Sequence, residues 1–118
     1  MDEITNLQAE VLRTLASPRR LEILHVLSTE PMEVGRLAAV LGVSQPNISQ
    51  HLAVMRAAGI VEAERDGREV RYRVADPDVL VACDVMRRVL HRRLSRLGEI
   101  AASGPDAGVG LPAPATTT

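Results

Sequence analysis

Residues 44–61, SQPNISQHLAVMRAAGIV, give the clearest indication of the fold of this chain. Ser44 is a favourable N-cap residue, and Pro46 falls in the first turn, where its missing N–H is no loss, so a helix begins here. The apolar face of this helix consists of Ile48, Leu52 and Met55. The opposite face consists of Pro46, Asn47, Ser49, Gln50 and Ala53. A solvated helix usually carries charges on its outer face, whereas an uncharged polar face suits the major groove of DNA.

Another helix precedes this one after a very short turn. The apolar spacing predicts it over residues 33–41, and Gly42 follows where a left-handed residue ends a helix. Only Val43 then separates Gly42 from the N-cap, which is the helix-turn-helix pattern. Further upstream, amphipathic spacing predicts a first helix over residues 2–15 and a second, capped by Ser17, over residues 18–28.

Downstream of residue 60, apolar residues recur at every second position in two short runs, which predicts a β-hairpin. The hairpin is expected to turn at Asp66-Gly67. The pairs expected from that turn are Arg65 with Arg68, Glu64 with Glu69, Ala63 with Val70, and Val61 with Tyr72. This register places the apolar residues on one face and two arginines together at the tip. A phosphate between those arginines would offset their repulsion, as in the wing of a DNA-binding protein.

A long last helix, expected over residues 77–102, carries one apolar stripe flanked by arginines. The tail over residues 103–118 is rich in Pro, Gly, Ala and Thr and has no periodicity, so it is expected to be disordered. The predicted organisation is therefore one domain over residues 1–102 followed by that tail. Its fold class is mainly α, with four helices, a β-hairpin wing and a fifth helix.

Composition narrows the function. The 118 residues include 46% hydrophobic ones, enough for one core. Tyr72 is the sole aromatic residue, so the chain lacks the stacking platform that single-stranded nucleic acid needs. The net charge is only −1, but residues 36–73 contain six arginines against four acids. A lone cysteine, Cys83, allows no internal disulfide, and no signal peptide or membrane span is evident, so a cytoplasmic protein without membrane contact is expected. No catalytic arrangement appears, which argues against an enzyme.

Three segments, ASPRRLEILHVLS, RLAAVLGVSQPNISQHLAVMRAAGIV and RDGREVRYRV, occur in this order. Together they resemble the ArsR/SmtB family of bacterial repressors over residues 2–102, with Ser-x-x-x-x-Ser-x-His-Leu at residues 44–52 as the most specific phrase. The resemblance implies a winged helix-turn-helix that dimerises through its first and last helices. It also implies binding to a palindromic operator in double-stranded DNA and release by an effector.

The resemblance also assigns DNA-binding residues. The segment that reads DNA corresponds to Gln45, Asn47, Ser49, Gln50 and His51, and the wing corresponds to Arg65, Arg68 and Arg71. Asn47 and Gln50 are the candidates for base contacts, because their amides can pair with adenine. Arg56 and the wing arginines are candidates for phosphate contacts. Two alternatives stay open: Ser49 could bond only its own helix, and His51 could be a packed histidine.

The metal ligands that many members of this family use for sensing are missing from the sequence. Glu33 and Gly35 occupy the positions of a Cys-x-Cys pair. In the last-helix site Asp76 matches, but Asp78 replaces a histidine. The remaining candidates are Asp84 and His91, which could share nickel, zinc or cobalt only across a dimer axis.

In the alternative interpretation these residues have structural roles. Cys83 is then a core thiol, Asp84 pairs with Arg87 or Arg88, and His91 is solvated or lies at an interface. Two hypotheses about function follow. One is a sequence-specific repressor, with metal response as an option, and the other is a winged-helix regulator controlled by a co-regulator protein bound to its last helix or tail.

Overall fold

The computed structural model describes residues 2–102, so the tail expected to be disordered, residues 103–118, lies outside the described residues. The elements are α1 (Glu3–Leu15), α2 (Pro18–Leu27), α3 (Val34–Leu41), α4 (Gln45–Ala57), β1 (Val61–Asp66), β2 (Glu69–Val74) and α5 (Pro77–Ala102). This order confirms the predicted fold class. The described residues divide into two compact units, one that ends at Leu80 and one that begins at Val81.

Short polar side chains fix the starts of three helices. Asp2 Oδ1 accepts a hydrogen bond from Thr5 N at 2.7 Å at the start of α1. Ser17 caps α2 by accepting from Arg20 N at 3.3 Å. Ser44 was predicted to cap α4, and this is confirmed. Each such cap stabilises its helix by about 1 kcal/mol, which explains why the helices begin where the sequence predicts.

The core of the first unit is entirely aliphatic. Its buried residues are Leu15, Ile23, Leu24, Leu27, Met32, Leu37, Ala38, Ile48, Leu52, Met55, Ile60 and Val61. Helix α2 contacts α1, α3, α4 and β2. The buried faces of α3 and α4 therefore pack on a central helix.

The predicted register of the hairpin is wrong. The strands pair Asp66 with Glu69, so the turn is Gly67-Arg68. The other pairs are Val61 with Val74, Glu62 with Arg73, Ala63 with Tyr72, Glu64 with Arg71, and Arg65 with Val70. Each β1 residue thus has a partner two positions further along β2 than expected. Because the shift is even, the apolar residues stay on one face.

Two physical reasons favour the observed register. Gly67 has a φ of +65° and is the first turn residue, where two-residue hairpin turns require a positive φ. The predicted register also sets Glu64 opposite Glu69, whereas the observed one sets it opposite Arg71. Opposite charges across a strand pair stabilise a hairpin by up to about 1 kcal/mol.

The segment between α2 and α3 is joined to the hairpin. Met32 N donates to Tyr72 O at 3.0 Å, and Tyr72 N donates to Met32 O at 2.8 Å. Met32 is also buried, with 6% of its surface exposed. This backbone bridge fixes β2 to the body of the first unit. Within residues 2–102, no helix combines the length and apolar character that crossing a bilayer requires.

Candidate nucleic-acid interface

The turn between α3 and α4 positions the proposed recognition helix. Gly42 adopts the left-handed conformation, with a φ of +70°, and ends α3. Val43 N then donates to Ala38 O at 3.0 Å, which closes the turn. Ser44 Oγ accepts from Asn47 N at 3.2 Å and starts α4. Two helices joined in this way hold the first turn of α4 in a defined orientation.

Helix α4 is anchored on one side and exposed on the other. Ile48 and Met55 have no exposed surface, and Leu52 is 1% exposed. The residues predicted to read DNA are exposed: Gln45, Asn47, Ser49 and Gln50. Arg56, predicted to hold phosphate, is exposed in the last turn. This arrangement presents a neutral polar face on a rigid helix, as reading base edges in a major groove requires.

Gln45 differs from its neighbours because its side chain lies against α3. A Cβ atom placed on Gly35 would be 3.3 Å from Gln45 Nε2. Gly35 therefore leaves room for the amide of Gln45 at the helix-turn-helix junction. The Gln45 side chain must leave α3 before it can extend towards a base.

His51 is held by a side chain from another helix. Arg20 Nε, on α2, donates to His51 Nδ1 at 3.2 Å. The same guanidinium donates from Nη1 to Thr14 O, in the last turn of α1, at 3.0 Å. His51 is half-buried, unlike the reading residues around it. The structure thus places His51 in the packed arrangement that the sequence left as an alternative.

The environment of His51 favours its neutral form. Burial is the main cause that lowers the pKa of His51, and the positive charges of Arg20 and Arg19 lower this pKa further. We therefore expect the free energy of unfolding to fall as the pH drops below the ordinary histidine pKa of about 6.5. Unfolded His51 takes up a proton there, whereas folded His51 resists protonation, so its contribution to stability is lost as the pH falls through the folded pKa.

Urea titrations of the wild type and His51→Asn, from about pH 5 to about pH 8, would measure this contribution. Contributions of the other histidines are common to both proteins and cancel in the difference. The difference in unfolding free energy should shrink towards acid pH. A difference that does not change with pH would contradict the assignment.

The wing arginines fall into two groups. Arg73 lies 2.7 Å from Glu62 and 3.3 Å from Glu64, on the outer face of the hairpin. Arg71 pairs with Glu69 at 3.0 Å. Within residues 2–102, Arg65 and Arg68 take part in no ion pair. Arg65 pairs with Val70, so the predicted pairing of Arg65 with Arg68 at the tip is wrong. Of the predicted wing contacts, Arg68 in the turn and Arg65 in β1 are therefore the ones whose charge is available to phosphate.

Helix α5 contains the two predicted metal ligands, Asp84 and His91. Arg88 Nη1 donates to Asp84 Oδ2 at 2.6 Å, which confirms the predicted ion pair. His91 is exposed. The structural interpretation expected Cys83 to be a core thiol, but Cys83 is only half-buried. Burial raises the pKa of this thiol, and the positive charge of Arg87 lowers it. In the part of the chain that the structure describes, no three potential ligands lie close enough to hold a metal.

A helix-turn-helix followed by an arginine-tipped hairpin defines the class of winged helix-turn-helix proteins. Residues 17–63 match the family model described as bacterial regulatory protein, arsR family. The HTH-type transcriptional regulator Rv0081 of Mycobacterium tuberculosis is 39% identical over 108 residues, which cover 87% of this chain and 95% of that protein. The chain belongs to the ArsR family, and it is a DNA-binding transcriptional regulator rather than an enzyme.

Solved structures agree with this assignment. The crystal structure of Rv0081 superposes with a TM-score of 0.73 at 40% identity and covers 81% of this chain and 97% of that one. The homodimeric winged helix-turn-helix domain of Mb0332 from Mycobacterium bovis superposes with a TM-score of 0.74 at 30% identity, covering 79% and 86%. The repressor SmtB of M. tuberculosis is 47% identical over 74 residues, which cover 63% of this chain and 55% of that protein.

Sequence reasoning missed two residues of the interface. Arg20 was not singled out from the sequence, although it lies in the first turn of α2, just after Ser17 and Pro18. The structure shows that it is half-buried, and a half-buried arginine needs hydrogen-bond acceptors inside the protein. Gly35 was considered only as the replacement for a metal ligand. The one available signal was the position of His51 close to the buried face of α4. A histidine at such a position needs a hydrogen-bond partner from the protein.

Proposed function

We propose that this chain is a repressor that binds a palindromic operator as a homodimer. The observation that carries the proposal is the neutral, exposed face of α4, opposite a side that is completely buried. The solvent-exposed face of a helix usually carries charged side chains, so an uncharged polar face is expected where the helix contacts base edges of DNA instead of water. The name of the relative SmtB, a transcriptional repressor, supports the direction of regulation.

The dimer is supported by apolar side chains that remain exposed. On α1 these include Ile4, at 72% exposure, Leu7 and Leu12. On α5 they include Val81, Val85, Met86, Val89, Leu90, Leu94 and Leu97. Burying one such side chain contributes about 1.5–3 kcal/mol, so covering each stripe with a partner subunit would be strongly favourable. The homodimeric domain of Mb0332 supports the same assembly here.

The contacts with DNA divide by chemistry. We assign base reading to Asn47 and Gln50, with Ser49 and Gln45 beside them, and phosphate binding to Arg56, Arg65 and Arg68. Arg71 is assigned a smaller role because Glu69 already neutralises it. His51 is assigned a packing role against Arg20 rather than a base contact, since Arg20 occupies its Nδ1 atom.

The wing assignment can be tested by salt dependence. Arg68→Ala should weaken binding to any duplex and reduce the slope of log K against log salt by about 0.9 for each phosphate that is no longer neutralised, or nearly two units for a symmetric dimer. Arg71→Ala is the matched control in the same hairpin and should change the slope much less, because its charge is paired. Fluorescence anisotropy across a salt series measures both slopes. Equal slopes for the two variants would contradict the assignment.

Metal response is a finer part of the proposal. Asp84 and His91 are the candidate ligands, and a site would need both subunits and release of Asp84 from Arg88. Nitrogen and oxygen ligands suit nickel, zinc or cobalt. Isothermal titration of the purified dimer with these ions should give heat that His91→Ala abolishes. No heat above that of buffer, or heat that persists in His91→Ala, would remove this pair as a sensor.

The competing proposal is control by a co-regulator protein bound to α5 or to the tail. It is favoured by the lack of thiolates at residues 33 and 35 and by the Asp84–Arg88 pair. A gel shift on the DNA upstream of the gene, with and without the candidate partner, separates the two. Tight binding by the chain alone would make the partner unnecessary for operator recognition.

A further inference from the structure

We propose that Arg20 is a positioning residue for DNA reading: its guanidinium holds His51 of the recognition helix and the last turn of α1 together. The inference rests on the proposed function of α4. Neither residue needs to touch DNA in this role. Arg20 instead determines how the helix that reads DNA is oriented on the protein.

The geometry indicates that Arg20 holds its two partners in a well-defined arrangement. Arg20 Nε lies 3.2 Å from His51 Nδ1, and Arg20 Nη1 lies 3.0 Å from Thr14 O. Arg20 and His51 are both half-buried. A guanidinium is planar, so two hydrogen bonds from neighbouring nitrogens fix its orientation as well as its position. One side chain of α2 therefore links α1 to α4.

The contact also determines where the proton of His51 lies. An arginine side chain has only donors and stays charged, so the atom that faces it must be a bare acceptor. His51 Nδ1 therefore carries no proton, and the neutral ring carries its proton on Nε2. Protonation of Nδ1 would place two donors and two positive charges against each other.

Holding His51 restrains the reading face. Asn47 lies four residues before His51 and Gln50 is its neighbour, so a rotation of α4 that moves His51 would move both amides. Thr14 lies in α1, which we assign to the dimer interface. The Arg20 guanidinium thus directly connects α1, which we assign to the dimer interface, with α4, the helix proposed to read DNA.

Two substitutions at one position separate this role from direct DNA contact. Asparagine places its amide oxygen close to the position of Nδ1 and can still accept from Arg20, whereas glutamine places its amide near Nε2. We expect the affinity of His51→Asn for the operator, identified by selection from a random DNA pool, to be at least about tenfold higher than that of His51→Gln. The reason is that His51→Gln loses a hydrogen bond to a charged group. Arg20→Lys, which keeps the charge but not the planar fork, should behave like His51→Gln.

A second readout requires no DNA and is made on the wild-type protein. In wild-type protein with ¹⁵N-labelled histidine, NMR near neutral pH should show His51 with a bare Nδ1 and a protonated Nε2. The His51 signals are identified by their loss in His51→Asn. A proton on Nδ1, or tighter binding by His51→Gln than by His51→Asn, would overturn the inference. Equal binding by the two variants would overturn it as well.

The two proposals can fail separately. A wild-type protein that binds no operator would overturn the proposed function, while a proton on Nδ1 of His51 would separately overturn the hydrogen bond from Arg20. A wild type that binds tightly with equal affinities in His51→Asn and His51→Gln would leave DNA binding intact and remove Arg20 as a positioning residue.

Discussion

Replacing Leu52 with alanine is expected to lower the free energy of unfolding by about 2–5 kcal/mol. Leu52 is 1% exposed and lies at the centre of the buried face of α4. The substitution removes apolar packing and leaves a cavity between α4 and the rest of the core, which the aliphatic side chains around it can fill only in part. A loss of this size is a large fraction of the stability of a small domain.

Val54→Ala is the matched control for this prediction. Val54 is on the same helix but is 41% exposed, so its truncation should change the stability by no more than about 0.5 kcal/mol. Urea unfolding at one fixed protein concentration measures both variants, since dimerisation makes stability depend on concentration. Similar losses for Leu52→Ala and Val54→Ala would mean that α4 is not packed as described.

Replacing Asn47 and Gln50 together with alanine is expected to abolish most of the preference for the operator. Each good amide pair with adenine contributes about 1–3 kcal/mol of discrimination, and a symmetric dimer loses both amides in each half-site. Binding to unrelated DNA should change little, because phosphate contacts supply that affinity and the arginines are untouched. The ratio of specific to non-specific affinity should therefore fall by at least about a hundredfold.

Asn6→Ala provides the control for the double variant. It also removes an amide at an exposed position of α1, but on the side of that helix opposite Ile4 and away from the face of α4 proposed to read DNA. Anisotropy titrations with the operator and with a scrambled duplex give the ratio for each protein. If the double variant lost affinity equally for both duplexes, the amides of Asn47 and Gln50 in the wild type would be contacting the DNA backbone rather than the bases.

Much of the fold could be predicted because local signals agree with the packing. Ser17 and Ser44 were recognisable as caps, and Gly42 as a helix end, because their roles depend on neighbouring residues alone. The buried face of α4 followed from the spacing of its apolar residues, and the structure confirms it. The face predicted to read DNA is the complement of that spacing, and the structure leaves its residues Asn47, Ser49 and Gln50 exposed.

Features that depend on distant residues were not predictable in this way. The hairpin register is decided by pairs such as Glu62 with Arg73 and by the position of Gly67 in the turn, and two registers keep the same apolar face. The Arg20–His51 hydrogen bond joins residues 31 positions apart, and no periodic pattern relates them. The bridge between Met32 and Tyr72 likewise arises only once α2 and β2 are packed together.

Selection of bound duplexes from a random DNA pool is the most direct test of operator binding by a dimer, because the protein itself chooses the sequences that it binds. We predict an enriched sequence with dyad symmetry, whose half-sites are separated by about one helical turn, 10–10.5 base pairs, or by a multiple of it. The enrichment should disappear when the Asn47→Ala, Gln50→Ala double variant is used. An enriched sequence without symmetry, or no enrichment at all with the wild type, would contradict a dimer that reads DNA through α4.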